Sequence, residues 1–198
     1  KPALQIIGPA SSDRRVAGAH LVVFPNSVKI FADTTVNIDP SPSDLCAIAL
    51  SAAEMAHSLD IEPQVALLSF SNFGSNTPPQ VTKVTEALKL IKIQAPDLSI
   101  EGELHADLAI NAIERQQLFP FSELSGEANV LVFPDLNSAN ISYKLLKALS
   151  EAEFVGPILI GMGAPVNILE QECSVRSIVN MTAITAVQIQ QFQAERKA

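Results

Sequence analysis

Residues 129–149 read NVLVFPDLNSANISYKLLKAL. An apolar run, Val130 to Phe133, stops at Pro134, a stretch of turn and cap residues follows, and apolar side chains then recur at helical spacing. The run suits a strand buried on both faces, and the last part an amphipathic helix. Strand, loop and helix in that order form the repeating unit of a parallel sheet, because a parallel neighbour can be reached only by a crossover.

The same pattern recurs outward from this stretch. Val65 to Phe70 reads as a buried strand, SNFGSNTPP (71–79) as a loop and Gln80 to Gln94 as a helix. Gly156 to Gly161 reads as a strand, and Ser174 to Gln193 as the last helix. Upstream, Val16 to Phe24 and Ser27 to Ala32 flank Pro25-Asn26, a hairpin signature. DPSPSD (39–44) offers caps for a helix reaching His57. Leu98 to Ile100 is a short strand candidate and Ala106 to Arg115 a short helix. The fold class is therefore α/β, in three α/β/α layers around a largely parallel sheet.

The chain's 198 residues carry a formal charge of −8, which argues against a nucleic-acid partner, whose affinity needs clustered cations. Only 17% of residues are charged and 47% are apolar, so the chain can bury a full core. No apolar stretch approaches the roughly 20 residues that span a membrane. Cys46 and Cys173 stand far apart, form no metal-like pair and suit a reducing, cytoplasmic compartment. The sequence opens without Met inside an apolar pattern, which reads as a piece of a longer chain.

Ligands of such sheets gather at the carboxyl ends of strands. Three loops qualify: Ser69 to Pro78, Pro134 to Asn140 and Gly161 to Ser174. Each is rich in small, hydroxyl or amide residues that let backbone N–H groups approach an anion. The third carries Glu170 and Glu172 and no cation before Arg176, an unfavourable setting for one. In EGELHAD, Glu101, Glu103, His105 and Asp107 would share one side of an extended segment, as a metal cluster requires. Acids ahead of a helix equally suit its N-terminal dipole, so the segment is read as a turn and helix start. Gly161-Met-Gly163 lacks a third glycine and lies too late to open a nucleotide-binding unit. His20 and His57 have no partner pattern, and no nucleophile has an evident base.

Six segments in order give this chain a resemblance to the phosphate acetyltransferase family: KPALQIIG (1–8), FADTTVN (31–37), EPQVALLSFSNFGS (62–75), ANVLVFPDLNSANISYKLL (128–146), GPILIGMGAPVNIL (156–169) and SVRSIVNMTAITAVQ (174–188). The resemblance implies a two-lobed fold of which the first lobe is largely missing here. Residues 10–160 would form the central lobe, with 1–9 and 161–198 in the other. It also implies coenzyme A in the cleft and a homo-oligomer, at least a dimer. SFSNFGS, FPFSELSGEANVLVFPDLNS and IVNMTA are similar to one branch, the C-terminal domain of bacterial NADP-dependent malic enzymes. There the domain is implied to sense acetyl-CoA as an effector, with NADP and a divalent metal (Mg or Mn) confined to the upstream malic enzyme part.

The family's transferases carry Ser-Arg-Gly-Cys at the last loop and an Asp near the helix start. Aligned on Cys173, those positions hold Glu170, Gln171 and Ser177, and the family arginine before Pro-Ala-Leu is Lys1. Arginine would grip a phosphate bidentately, and glutamine removes that charge. The resemblance therefore implies that acetyl transfer is lost, leaving no catalytic residue. It assigns acetyl-CoA contacts to Lys1, Thr34, Ser69, Ser71, Asn137 and Gln171. A working transferase, with Lys1 for the arginine and Glu170 as base, is the alternative; a scaffold that binds nothing is a third. Tyr143 and Lys144 match the family helix but read as a solvated face, and Phe73 as an anchor of its loop.

Overall fold

A computed structural model describes residues 5–11, 14–169, 171 and 173–195. Six strands, β1 (Ala17–Val23), β2 (Val28–Ala32), β3 (Val65–Leu68), β4 (Ile100–Leu104), β5 (Val130–Val132) and β6 (Glu153–Ile160), form one sheet in the order β4-β3-β5-β2-β1-β6. The pairs β2–β5, β5–β3 and β3–β4 are parallel, and β1 runs antiparallel to both β2 and β6. The expected hairpin is present, with Val23 opposite Val28. Every strand but β1 therefore ends at the same edge of the sheet.

Alternation along the strands feeds two cores. Ile30, Val65, Leu67, Val130 and Val132 point into one, which α1 (Pro42–Ser58), α2 (Pro79–Gln94) and α6 (Val175–Glu195) cover. Phe31, Ala66, Leu68, Leu131 and Phe133 point into the other, under α3 (Ala106–Ile110), α4 (Ala112–Leu118) and α5 (Leu136–Leu149). A period of two with both faces apolar is what makes these strands read as continuous hydrophobic runs. Cys46 lies in the first core, and burial pushes its thiol pKa up. Among the described residues no helix is long and apolar enough to cross a membrane.

The clearest departure from the sequence reading in secondary structure lies between Glu101 and Arg115. EGEL is not a turn but strand β4, buried along its whole length. The expected helix after it breaks in two at Asn111, whose side chain caps Glu114 N–H at 3.1 Å. Arg115, fully buried, donates from Nη1 to Leu108 and Ala109 carbonyls and from Nη2 to those of Leu124 and Gly126. One guanidinium thus ties the 108–126 excursion to itself. The described residues contain no group of His, Cys, Asp and Glu able to hold a metal ion.

Candidate functional site

The carboxyl edge gathers the ends of β2, β5, β3 and β4 side by side. At the end of β2, Asp33 is 3% exposed and its two oxygens accept from the N–H groups of Gly18, Thr35, Val36 and Asn37 and from the Asn37 amide, at 2.5–3.0 Å. Thr34 is equally buried: its N–H and hydroxyl both donate to the Gly18 carbonyl. Gly18 is required here, since a Cβ would come within 2.6 Å of Thr35. The FADTTVN motif is a turn wound around its own carboxylate.

The β3–α2 loop is wound in the same way. Glu103, 1% exposed, reaches across from β4 and accepts from the Ser71 hydroxyl at 2.8 Å and the Gly74 N–H at 2.7 Å. The Ser71 hydroxyl in turn accepts from Asn76 N–H, Ser75 Oγ from Asn72 N–H, and the Glu103 carbonyl from Phe73 N–H. The remaining N–H groups of Ser71 and Ser75 find Ser69 Oγ and the Asn72 carbonyl. Every backbone donor from Ser71 to Asn76 is therefore used inside the loop. Phe73, with φ +46°, anchors it by packing against Phe119 and Phe121 at 4.8 and 5.0 Å.

The third turn repeats the device. Asp135 caps α5 through Ser138 N–H at 2.8 Å, and Leu136 N–H reaches the Ile38 carbonyl. Glycine- and serine-rich loops with unspent N–H groups attract anions, but here Asp33 and Glu103 already take such donors in the first two turns, and Asp135 takes Ser138 N–H in the third. Several side chains at this edge still face solvent, among them Phe70, Asn76 and Asn137, with Ser69 partly so; so does the half-exposed Arg15, whose Nε donates to Asn37 at 2.8 Å beside Asp44 at 3.3 Å. Of the proposed contacts, Thr34 and Ser71 are inside the fold, Ser69 and Asn137 are accessible, and Lys1 lies outside the described residues.

The third expected loop leaves that edge. After Gly161 the chain turns back along the outside of β6: Asn167 Oδ1 accepts from Leu159 N–H, and its amide is held by Thr185 and Gln188 of α6. The start of α6 then lies at the amino end of β6, where Glu153 accepts from Arg176 and Asn180. Gln171 is exposed there, and Ser177 shares a hydrogen bond with Ser174, which caps the helix through Ser177 N–H. Glu170 lies outside the described residues. The eight residues of β6 separate this end from Thr34 by roughly 25 Å. The three loops therefore do not share one edge. The reason is that β6 ends the sheet, and Asn167 with Gln188 satisfies its open N–H and C=O groups.

Sequence reading passed over Asp33 and Arg15, and weighed Glu103 only as part of a metal-like cluster, not as the acceptor that holds the β3–α2 loop. Only Asp33 gave a signal, an acid at the head of a turn. The partners of Glu103 lie about thirty residues upstream, beyond any local pattern.

Comparison with known proteins fits this framework. The family model described as "Phosphate acetyl/butaryl transferase" matches residues 1–186. The NADP-dependent malic enzyme of Haemophilus influenzae is 45% identical over 186 residues, 94% of this chain and 25% of its own length. The phosphate acetyltransferase of Bacillus subtilis is 40% identical over 188 residues, 95% of this chain and 58% of its own. A phosphotransacetylase from Streptococcus pyogenes superposes with a TM-score of 0.91 at 41% identity, covering 96% of this chain and 58% of that one. The chain thus spans a quarter to somewhat over half of the relatives it matches. With that match along nearly its whole length, and a fold to go with it, the chain belongs to the phosphate acetyl/butyryl transferase family.

Proposed function

We propose that this chain is an acetyl-CoA-responsive regulatory domain of the NADP-dependent malic enzyme type, in which acetyl transfer has been lost. The observation that carries the reading is the segment 171–177. Its glutamine and serine stand where the family's transferases, by the resemblance above, hold an arginine and an aspartate. Its nearest described cation, Arg176, is committed to Glu153. A transferring acetyl group and a phosphate need positive charge aimed at developing negative charge, and neither Gln171 nor Ser177 supplies any. Coenzyme A phosphates find little countercharge at the carboxyl edge, where Arg15 is the exposed cation; Ser69 and Asn137 suit the uncharged parts of such an ester.

In this reading NADP and Mg or Mn belong to a malic enzyme part outside these residues. The domain works within a cytoplasmic homo-oligomer, and acetyl-CoA acts by binding one quaternary state more tightly than another. A phosphate acetyltransferase is the second reading, favoured by the 40% identity to the Bacillus subtilis protein over 95% of this chain. Calorimetric titration with acetyl-CoA, with and without phosphate, combined with an acetyl phosphate assay, separates the two. Binding without turnover is expected; turnover establishes the transferase, and no binding leaves only a scaffold.

A further inference from the structure

Between α5 and β6, on the face opposite α6, a pocket of about 290 Å³ is lined by His20, Tyr143, Lys144, Lys147, Phe154 and Gly156. No carboxylate lines it. Lys29, Lys83 and Lys92 each pair with a glutamate or aspartate, whereas Lys144 and Lys147, like Lys89, form no ion pair among the described residues; only Lys144 and Lys147 stand side by side at a pocket. Lys144 is instead drawn over the Tyr143 ring, with Nζ 5.3 Å from its centre.

The floor is His20, 7% exposed and stacked on Tyr143 with ring centres 4.4 Å apart. Its Nδ1 lies 2.7 Å from Thr34 Oγ1. Thr34 Oγ1 also lies 3.0 Å from the Gly18 carbonyl, which can only accept. With the hydroxyl proton on that carbonyl, His20 donates Nδ1–H to Oγ1, and Nε2 is the acceptor on the opposite edge of the ring, beside Gly156. Nε2 has no partner among the described residues and is not sealed from solvent. A side chain at Gly156 would come within 2.7 Å of that edge, so the glycine keeps it open. Burial, with Lys147 and Lys144 behind it, holds the His20 pKa down to about 4, which keeps the ring neutral. The groups facing His20 are Thr34 from the turn after β2, Phe154 and Gly156 from β6, and Tyr143, Lys144 and Lys147 from α5; Glu153, next to Phe154, is engaged with Arg176 and Asn180.

Two cations and one neutral acceptor in the same pocket are complementary to an anion that still carries a hydrogen. We infer that this pocket binds a small oxyanion retaining an O–H, such as hydrogenphosphate or a phosphate ester with a neighbouring hydroxyl, held by Lys144 and Lys147 and selected by Nε2 of His20. A fully deprotonated oxyanion turns a lone pair toward Nε2 and leaves that acceptor unpaired. The site does not depend on the effector reading above, because it lies on the α5 face of the sheet rather than at the strand-end loops.

The test is NMR of the His20 ring signals in the full chain at pH 8, titrated with phosphate and then sulfate. Both are dianions there, but hydrogenphosphate keeps one O–H and sulfate none. Phosphate is expected to shift the His20 signals and to bind about 10-fold more tightly than sulfate. Combined K144M and K147M substitutions on the exposed helix face should abolish the shift. His20→Phe, which keeps the ring on Tyr143, should bring phosphate down to the sulfate level. Equal affinity for the two anions, ring signals that ignore phosphate, or a shift that survives loss of both lysines would each overturn the inference. Should the His20 variant fail to fold, the comparison of the two anions on the unaltered chain still decides.

Discussion

Asp33, in the turn after β2, and His20, on the neighbouring strand β1, both touch the Gly18–Thr34 contact, yet their polar atoms are used in opposite ways. Both oxygens of Asp33 are consumed by four backbone N–H groups and an amide of its own turn. His20 spends one nitrogen on Thr34 and leaves the other open beside two lysines without carboxylate partners. The strand-end loops look like anion sites in composition, but Asp33, Glu103 and Asp135 already occupy them. The pocket under α5 has no such look in sequence, but it is where positive charge is left over. A polar region whose groups are all paired contributes to folding, whereas one with unpaired groups is available for binding.

Substitutions can break this contrast. The largest effect should come from Arg115→Met, which orphans up to four buried carbonyls in the satisfied region. A loss of roughly 3–5 kcal/mol is expected from urea unfolding, and a loss under 1 kcal/mol would mean that Arg115 is not the tie. Asp33→Asn turns an NH2 group toward N–H donors, and should cost about 2–3 kcal/mol in the same measurement.

The next effect concerns His20 and pH. Its folded pKa of about 4 lies below the ordinary 6.5, so in between only the unfolded chain takes up the proton. The stabilisation is fully present above pH 6.5 and fades as pH falls toward 4, by about 2 kcal/mol at pH 5. Denaturation of the chain and of His20→Phe at pH 7 and pH 5 should show that component only where the imidazole is present. The smallest effect should belong to Lys144→Met and Lys147→Met, each within about 0.5–1 kcal/mol, because no carboxylate partner is lost and only Lys144 gives up a contact with the Tyr143 ring. A large loss from either would place the pocket among the satisfied regions.

Much of the framework was legible in the sequence. Continuous apolar runs gave β3 and β5, the Pro-Asn turn gave the hairpin, and DPSPSD announced the capping box of Ser41 and Asp44 at the head of α1. Strand β4 was legible only at its start, where the strand candidate Leu98 to Ile100 stops one residue inside it, because Glu101 and Glu103 look like surface residues. They are buried only because Ser122 with Glu123 N–H, and Ser71 with Gly74 N–H, meet them there. Tyr143 and Lys144 read as a solvated helix face, whereas Tyr143 stacks on a histidine from a strand more than a hundred residues earlier.

The sequence by itself determined the α/β class, the alternation of elements and the family, because periodicity and short motifs are local properties of the chain. Tertiary structure alone decided which polar residues are spent and which are left over. Whether Ser71, Thr34 or Gln171 can meet a ligand depends on where Glu103, Gly18 and β6 come to lie, and those neighbours are set by how the strands assemble in space. The same holds for His20, whose free nitrogen follows from Thr34 in the turn after the next strand and from the open space at Gly156. Hydrogen bonds and charge act over a few ångströms, and residues far apart in the chain come that close only once the sheet is assembled.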